Sequence, residues 1–143
     1  MRVTFILTVF LLTTPSWADN NTDPSGLWNT FDDNGHIEST VEVRIEEGKL
    51  YANILSLHNA PEDNPICTEC KGDLFGKPVI GMQIINGLKL KKGIWQKGSV
   101  FDPKTGDAYK GKVWLEDGTL FVRGHIGFLY QTKSWRKVSS DTK

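Results

Sequence analysis

Turn signals recur every eight to twelve residues along most of this chain, and no stretch of ten or more residues carries helical periodicity. That spacing confines the chain to short extended segments, because glycine-centred reversals interrupt a helix before it can propagate. The clearest segment is His36 to Ile45, where Ile37, Ser39, Val41, Val43 and Ile45 alternate with Glu38, Thr40, Glu42 and Arg44. A period of two puts the first set against a core and the second toward water. Asp33-Asn34-Gly35 turns the chain into this strand, and Glu47-Gly48 turns it out into Lys49 to Leu57.

The pattern continues after a long polar excursion, His58 to Pro78. Val79 to Ile85 reads as a strand, reversed at either Asn86-Gly87 or Lys92-Gly93. Ile94 to Phe101 ends at Asp102-Pro103-Lys104-Thr105-Gly106, where proline presets φ and glycine accepts a positive φ. Tyr109 to Leu115, the turn Glu116-Asp117-Gly118, Thr119 to Ile126, and Phe128 to Val138 complete the series.

Eight or nine antiparallel strands joined by hairpins would leave two raw edges in an open sheet. Closure removes both, so the expectation is all-β: one small antiparallel barrel of eight or nine strands with one long loop, a sandwich being the alternative. A barrel of eight strands is filled by side chains or holds one small ligand.

The N-terminus reads as a secretory signal. Arg2 precedes the largely apolar run Val3 to Leu12, and Pro15-Ser16-Trp17-Ala18 fits cleavage after Ala18. The expected organisation is thus a signal at 1–18, a loose leader at 19–25, the barrel at 26–138 and a tail at 139–143. No other stretch approaches the roughly 20 apolar residues of a membrane helix. Of 17 basic and 17 acidic residues, cleavage removes Arg2, leaving 16 against 17. That balance, without long charge runs, gives no reason to expect nucleic acid or a charged membrane surface as partner.

The two cysteines, Cys67 and Cys70, stand in the long excursion. Their spacing suits a disulfide, half of a metal site, or a redox pair. Export favours a structural disulfide. A redox cysteine is usually placed at a helix N-terminus, whereas Cys70 leads into Lys71-Gly72-Asp73. For zinc, no second cysteine pair exists, and His36, His58 and His125 lie on different elements. Thiol-disulfide or metal chemistry at Cys67 and Cys70 stands as an alternative function.

Gly26-Leu27-Trp28 resembles the G-x-W opening of lipocalin-like, or calycin, barrels. That resemblance implies a tryptophan closing the barrel base under a basic residue near the last strand, the role it gives Trp28 and Arg136. A wider similarity runs through Gly26-Leu27-Trp28, the His36 to Ile45 strand, Cys67-Thr68-Glu69-Cys70-Lys71-Gly72, Lys77-Pro78-Val79-Ile80-Gly81, Trp95-Gln96-Lys97-Gly98, Asp102-Pro103-Lys104-Thr105-Gly106, Tyr109-Lys110, Val122-Arg123-Gly124 and Trp135-Arg136. In this order the motifs resemble the bacterial exported family called domain of unknown function 2147. The resemblance implies a periplasmic or secreted β-barrel and carries no established activity.

The aromatic residues Trp28, Trp95, Trp114, Trp135, Phe121, Tyr109 and Tyr130 fill a barrel core or line a ligand cavity. Phe121, Arg123 and His125 fall on one face of their strand, with Arg123 suited to an anionic ligand inside or to covering an aromatic outside. Alternation alone does not distinguish lumen from exterior. Trp95, Trp114, Phe121, Arg123 and His125 are therefore the candidate ligand-lining residues.

No G-x-S-x-G, H-E-x-x-H, phosphate-loop or dinucleotide motif is present, and no cofactor is indicated. The expected function is non-enzymatic: an exported barrel that binds a small apolar or amphipathic ligand, or an envelope accessory protein. A fully packed barrel acting as a protein-interaction module is a further alternative.

Overall fold

A computed structural model describes residues 23–139. The signal at 1–18, most of the leader and most of the tail lie outside the described residues. Eight antiparallel strands form a closed barrel in sequence order. They are β1 Gly26–Phe31, β2 Ile37–Glu46, β3 Lys49–Leu57, β4 Gln83–Lys91, β5 Ile94–Asp102, β6 Asp107–Glu116, β7 Thr119–Ile126 and β8 Leu129–Lys137. Closure is made by Trp28 against Lys137 and Asn29 against Arg136, so neither terminal strand is left as a free edge.

The β2 periodicity works as read. Ser39, Val41 and Val43 are buried, while Ile37 and Ile45, at the strand's two ends, are 37% exposed because they project past the packed layers. β4 departs from the sequence reading: it starts at Gln83 instead of Val79 and runs through Asn86-Gly87 to Lys91. The reversal is at Lys92-Gly93, both at positive φ. Gly87, at φ +70°, instead sits where the β3 register slips, Leu50 facing Leu88 and Tyr51 facing Asn86. An Asn-Gly pair thus serves a bulge that bends the strand, a second use of the same left-handed permissiveness.

The core fills the barrel from its base. Trp28, Leu50, Leu88, Val113 and Leu120 are each 1% exposed or less, with Trp95 and Trp135 beside them. Above this layer Gly98, Gly111 and Gly124 face one another across β5, β6 and β7. Bulky neighbours occupy the space the missing side chains leave. A Cβ on Gly98 would stand 2.8 Å from Leu88 Cδ2, one on Gly111 2.7 Å from Val100 Cγ1, and one on Gly124 3.1 Å from Tyr109 Cβ. The lower barrel is therefore packed by its own side chains.

Candidate functional site

The opposite end, the mouth, carries the β1–β2, β5–β6 and β7–β8 turns and the long connection between β3 and β4. That connection folds on itself. Ile66 bridges Pro78, Cys67 N–H donates to Lys77 O at 2.8 Å, and Val79 N–H donates to Pro65 O at 2.9 Å. A single 3-10 turn, Gly72–Leu74, rounds its tip. Cys67 and Cys70 form a disulfide. They are 2% and 4% exposed and make a second small core with Met82, joined to the barrel core through Val79 and Phe101.

This loop is fastened to the β5–β6 hairpin. Gly106 there has φ +73°, and a Cβ on it would stand 1.9 Å from Glu69 O. Glycine is thus required by conformation and by approach. Lys71 pairs with Asp107 at 3.1 Å. Within the hairpin Asp102 caps its own turn, accepting from Lys104 N–H at 2.9 Å through its carboxylate and from Gly106 N–H at 2.8 Å through its carbonyl.

Between loop and barrel lies a cleft of about 470 Å³. Ile37, Leu57, Pro61, Pro65, Ile66 and Val79 give it apolar walls, with Cys67 in the lining. Its polar groups are Asp32, Glu38, His58, Glu69 and Lys104. Lys104 is paired with Glu38, and this hydrogen bond raises the lysine's pKa above its ordinary value. His58 Nε2 is 2.9 Å from Thr40 Oγ1. Asp32 accepts from the backbone N–H of His36 and of Asn34, each at 2.9 Å, and the His36 bond leads in holding its carboxyl below the usual range.

The residues singled out from sequence do not converge on this cleft. Trp95 is 5% exposed and belongs to the barrel core. Trp114, Phe121, Arg123 and His125 alternate with buried Val113, Leu120 and Val122, which places them on the outer surface. The physical reason is register: Trp114 faces Phe121 across β6–β7, Val113 faces Val122, and closure turned the aliphatic set inward. On the outside Trp114 and Phe121 stack at 5.4 Å, and the Arg123 guanidinium lies 4.9 Å from the Trp114 ring and 4.2 Å from the Tyr130 ring. Arg123 Nε donates to Thr132 Oγ1 at 2.7 Å. His125 Nε2 is inaccessible and lacks a hydrogen-bond partner, and burial, with Lys112 and Arg123 adding to it, lowers its pKa.

At the base, Trp28 donates its indole N–H to Pro24 O at 2.8 Å. The cation over its ring is Lys137, 5.5 Å from the centroid, whereas Arg136 lies 5.3 Å from the Phe31 ring. The pairing of Trp28 with Lys137 across the closing seam accounts for the difference of one residue: the two share a face, and Arg136, one step on, points the other way.

The cleft residues Ile37, Leu57, Glu38 and Lys104 went unmarked in the sequence because each belongs to a strand pattern or turn explicable without a ligand. The signals present were the position of Ile37 at the end of an inward-facing row and the length of the excursion. Among the described residues no group of three or more His, Cys, Asp or Glu side chains is placed to hold a metal ion. No helix there is long and apolar enough to cross a membrane.

Comparison with known structures finds a similar barrel in protein HP1028 from the human pathogen Helicobacter pylori, described as belonging to the lipocalin family. The two share 19% identity over 84% of this chain and 86% of that one, with a TM-score of 0.71, a likeness of fold. No curated protein matches the chain. A family model described as "Uncharacterized protein conserved in bacteria (DUF2147)" matches residues 26–137, nearly the whole barrel. This chain, an eight-stranded lipocalin-like barrel with a buried disulfide in its longest loop, belongs to that bacterial family.

Proposed function

We propose that this protein is an exported, non-enzymatic barrel that binds a small amphipathic molecule in the cleft at its mouth, not in its lumen. The observation carrying this reading is the cleft itself: about 470 Å³, within the range of small-ligand sites, with apolar walls and a polar edge. The glycine row argues against a deep site, since Leu88, Val100 and Tyr109 already occupy that level. At the edge, Asp32, Glu38 and Glu69 outnumber Lys104, which favours a neutral or cationic head group over an anionic one.

Export to the periplasm or beyond is supported by the signal-like N-terminus and by a disulfide in a bacterial family. Thiol-disulfide chemistry at Cys67 and Cys70 is the weaker reading, because both residues are buried and an exchanging thiolate needs access.

The test uses N-phenyl-1-naphthylamine, a neutral apolar fluorophore. Its emission should rise on binding, and Ala60→Phe, at a half-buried residue of the long loop that also lines the cleft, should narrow it and abolish the rise while leaving the melting temperature near that of the wild type. No rise with folded wild-type protein, or an equal rise with the variant, would overturn the cleft as the site. Intrinsic tryptophan quenching is the poorer readout, because none of the described tryptophans lines the cleft.

A further inference from the structure

The β7–β8 hairpin reverses through Gly127-Phe128, with Ile126 facing Leu129 and glycine at φ +59° in the first central position, as a tight two-residue turn requires. Hairpin tips in water are ordinarily polar. Here Ile126 is 64% exposed, Phe128 90%, Leu129 65% and Tyr130 62%. By alternation Ile126 and Leu129 continue the lumen-facing row of Val122 and Gly124, yet they stand beyond the last packed layer. Tyr130 faces outward, so the knob is apolar at its end and on both faces. Nothing in the barrel's own packing accounts for it.

Behind the knob the outer surface of β6–β8 is cationic. Lys110, His125 and Tyr130 form one cross-strand row, about 8 Å from the tip at 3.3 Å per residue. Lys112, Arg123 and Thr132 form the next, about 15 Å from it. Along these strands the outer face carries no carboxylate before Glu116, at the base end. Arg123 lies within reach of two aromatic rings and is bonded to Thr132, so its charge stays in place.

From this juxtaposition we infer that the β7–β8 hairpin docks the protein on an anionic lipid surface. Ile126, Phe128 and Leu129 enter the headgroup boundary, Tyr130 lies at the interface, and Lys110, Lys112 and Arg123 meet lipid phosphates. Charge complementarity favours lipid over a second copy of the chain, since a twofold contact through this hairpin would set cations against cations. The inference is independent of the cleft, whose lining includes none of these residues.

Sedimentation of the purified protein with vesicles decides it. Binding should be strong on phosphatidylcholine vesicles containing phosphatidylglycerol, weak on phosphatidylcholine alone, and reduced by salt. Phe128→Ser should lower the affinity about tenfold. The pair Lys110→Gln and Lys112→Gln should lower it by about tenfold or more and flatten the salt dependence. Phe128 and Lys110 are exposed and Lys112 is half-buried on the outer face, and unchanged circular dichroism and melting temperature would show both variants folded. Equal binding to both vesicle types, or binding indifferent to Phe128→Ser, overturns the inference. So does a dimer on gel filtration that Phe128→Ser dissolves, since the knob would then belong to a protein interface.

Discussion

The two ends of this barrel are built from the same eight strands and held by different physics. At the base, Trp28, Leu50, Leu88, Leu120 and Trp135 are buried together, and the stabilisation is apolar burial distributed over many contacts. At the mouth, a loop bent by one disulfide is held by a few specific devices: backbone bonds to Lys77 and Pro65, the Gly106–Glu69 approach, and the pairs Lys71–Asp107 and Lys104–Glu38. The base has little freedom to accept anything else, while the mouth leaves a cleft. Stability and candidate function are thus separated along the barrel axis.

Substitutions can break this contrast or sharpen it. The largest effect is expected at the base: Leu120→Ala, at a fully buried position, should lower unfolding free energy by about 2–5 kcal/mol in a denaturant titration. On a domain of ordinary marginal stability that is a substantial share. A loss below about 1 kcal/mol would mean the base relaxes around the gap and is less tightly filled than described.

Gly106→Ala comes next. It combines a left-handed backbone position with a Cβ at 1.9 Å from a carbonyl oxygen, so the loop must lift from the hairpin, at a cost of about 1–3 kcal/mol. Hydrogen exchange should quicken at the Cys67 and Gly76 amides, which bond within the loop, and remain slow at Leu50 and Val113. Uniform acceleration would show base and mouth opening as one unit.

Replacing Cys67 and Cys70 together by alanine should cost about 2 kcal/mol, since only a small ring is opened and loop-closure entropy grows with length. The exchange signature should match that of Gly106→Ala. If the variant instead unfolds outright, the second core is part of the foundation and the division between ends fails.

The smallest effect is expected at Lys104. Lys104→Met removes a mostly exposed ion pair with Glu38 and should cost at most about 1 kcal/mol. Its pH dependence has a definite sign. Glu38 raises the lysine's pKa in the folded state, so the pair's contribution is fully present below the ordinary lysine value and is lost as pH rises through the raised one. Thermal melts of wild type and variant should therefore converge at strongly alkaline pH.

Much of the fold was legible because it depends on local rules. β3 and β7 run from Lys49 to Leu57 and from Thr119 to Ile126, the bounds read from turn residues and alternation. β4 was read as starting at Val79 instead of Gln83, and its far end stayed open between Asn86-Gly87 and Lys92-Gly93 because Asn86-Gly87 satisfies hairpin chemistry and bulge chemistry equally well. Only the neighbouring strand's register shows which is used. The candidate site was less legible: Trp114, Phe121, Arg123 and His125 form a patterned cluster that proved to be an outer surface, while the cleft is lined mostly by the long loop, with Asp32 of the β1–β2 turn, Ile37 and Glu38 of β2, Leu57 of β3, and Pro103 and Lys104 of the β5–β6 turn added across the mouth.

By itself the sequence determined most of the strands, their antiparallel hairpin order, the family resemblance and the presence of one possible disulfide, since each follows from spacing within a few residues or from motifs in a row. Only the tertiary structure decided which face of each strand is the lumen, that the lower lumen is packed, and that apolar and cationic side chains gather at one hairpin. A period of two gives every strand two equivalent faces, and closure of the barrel chooses between them.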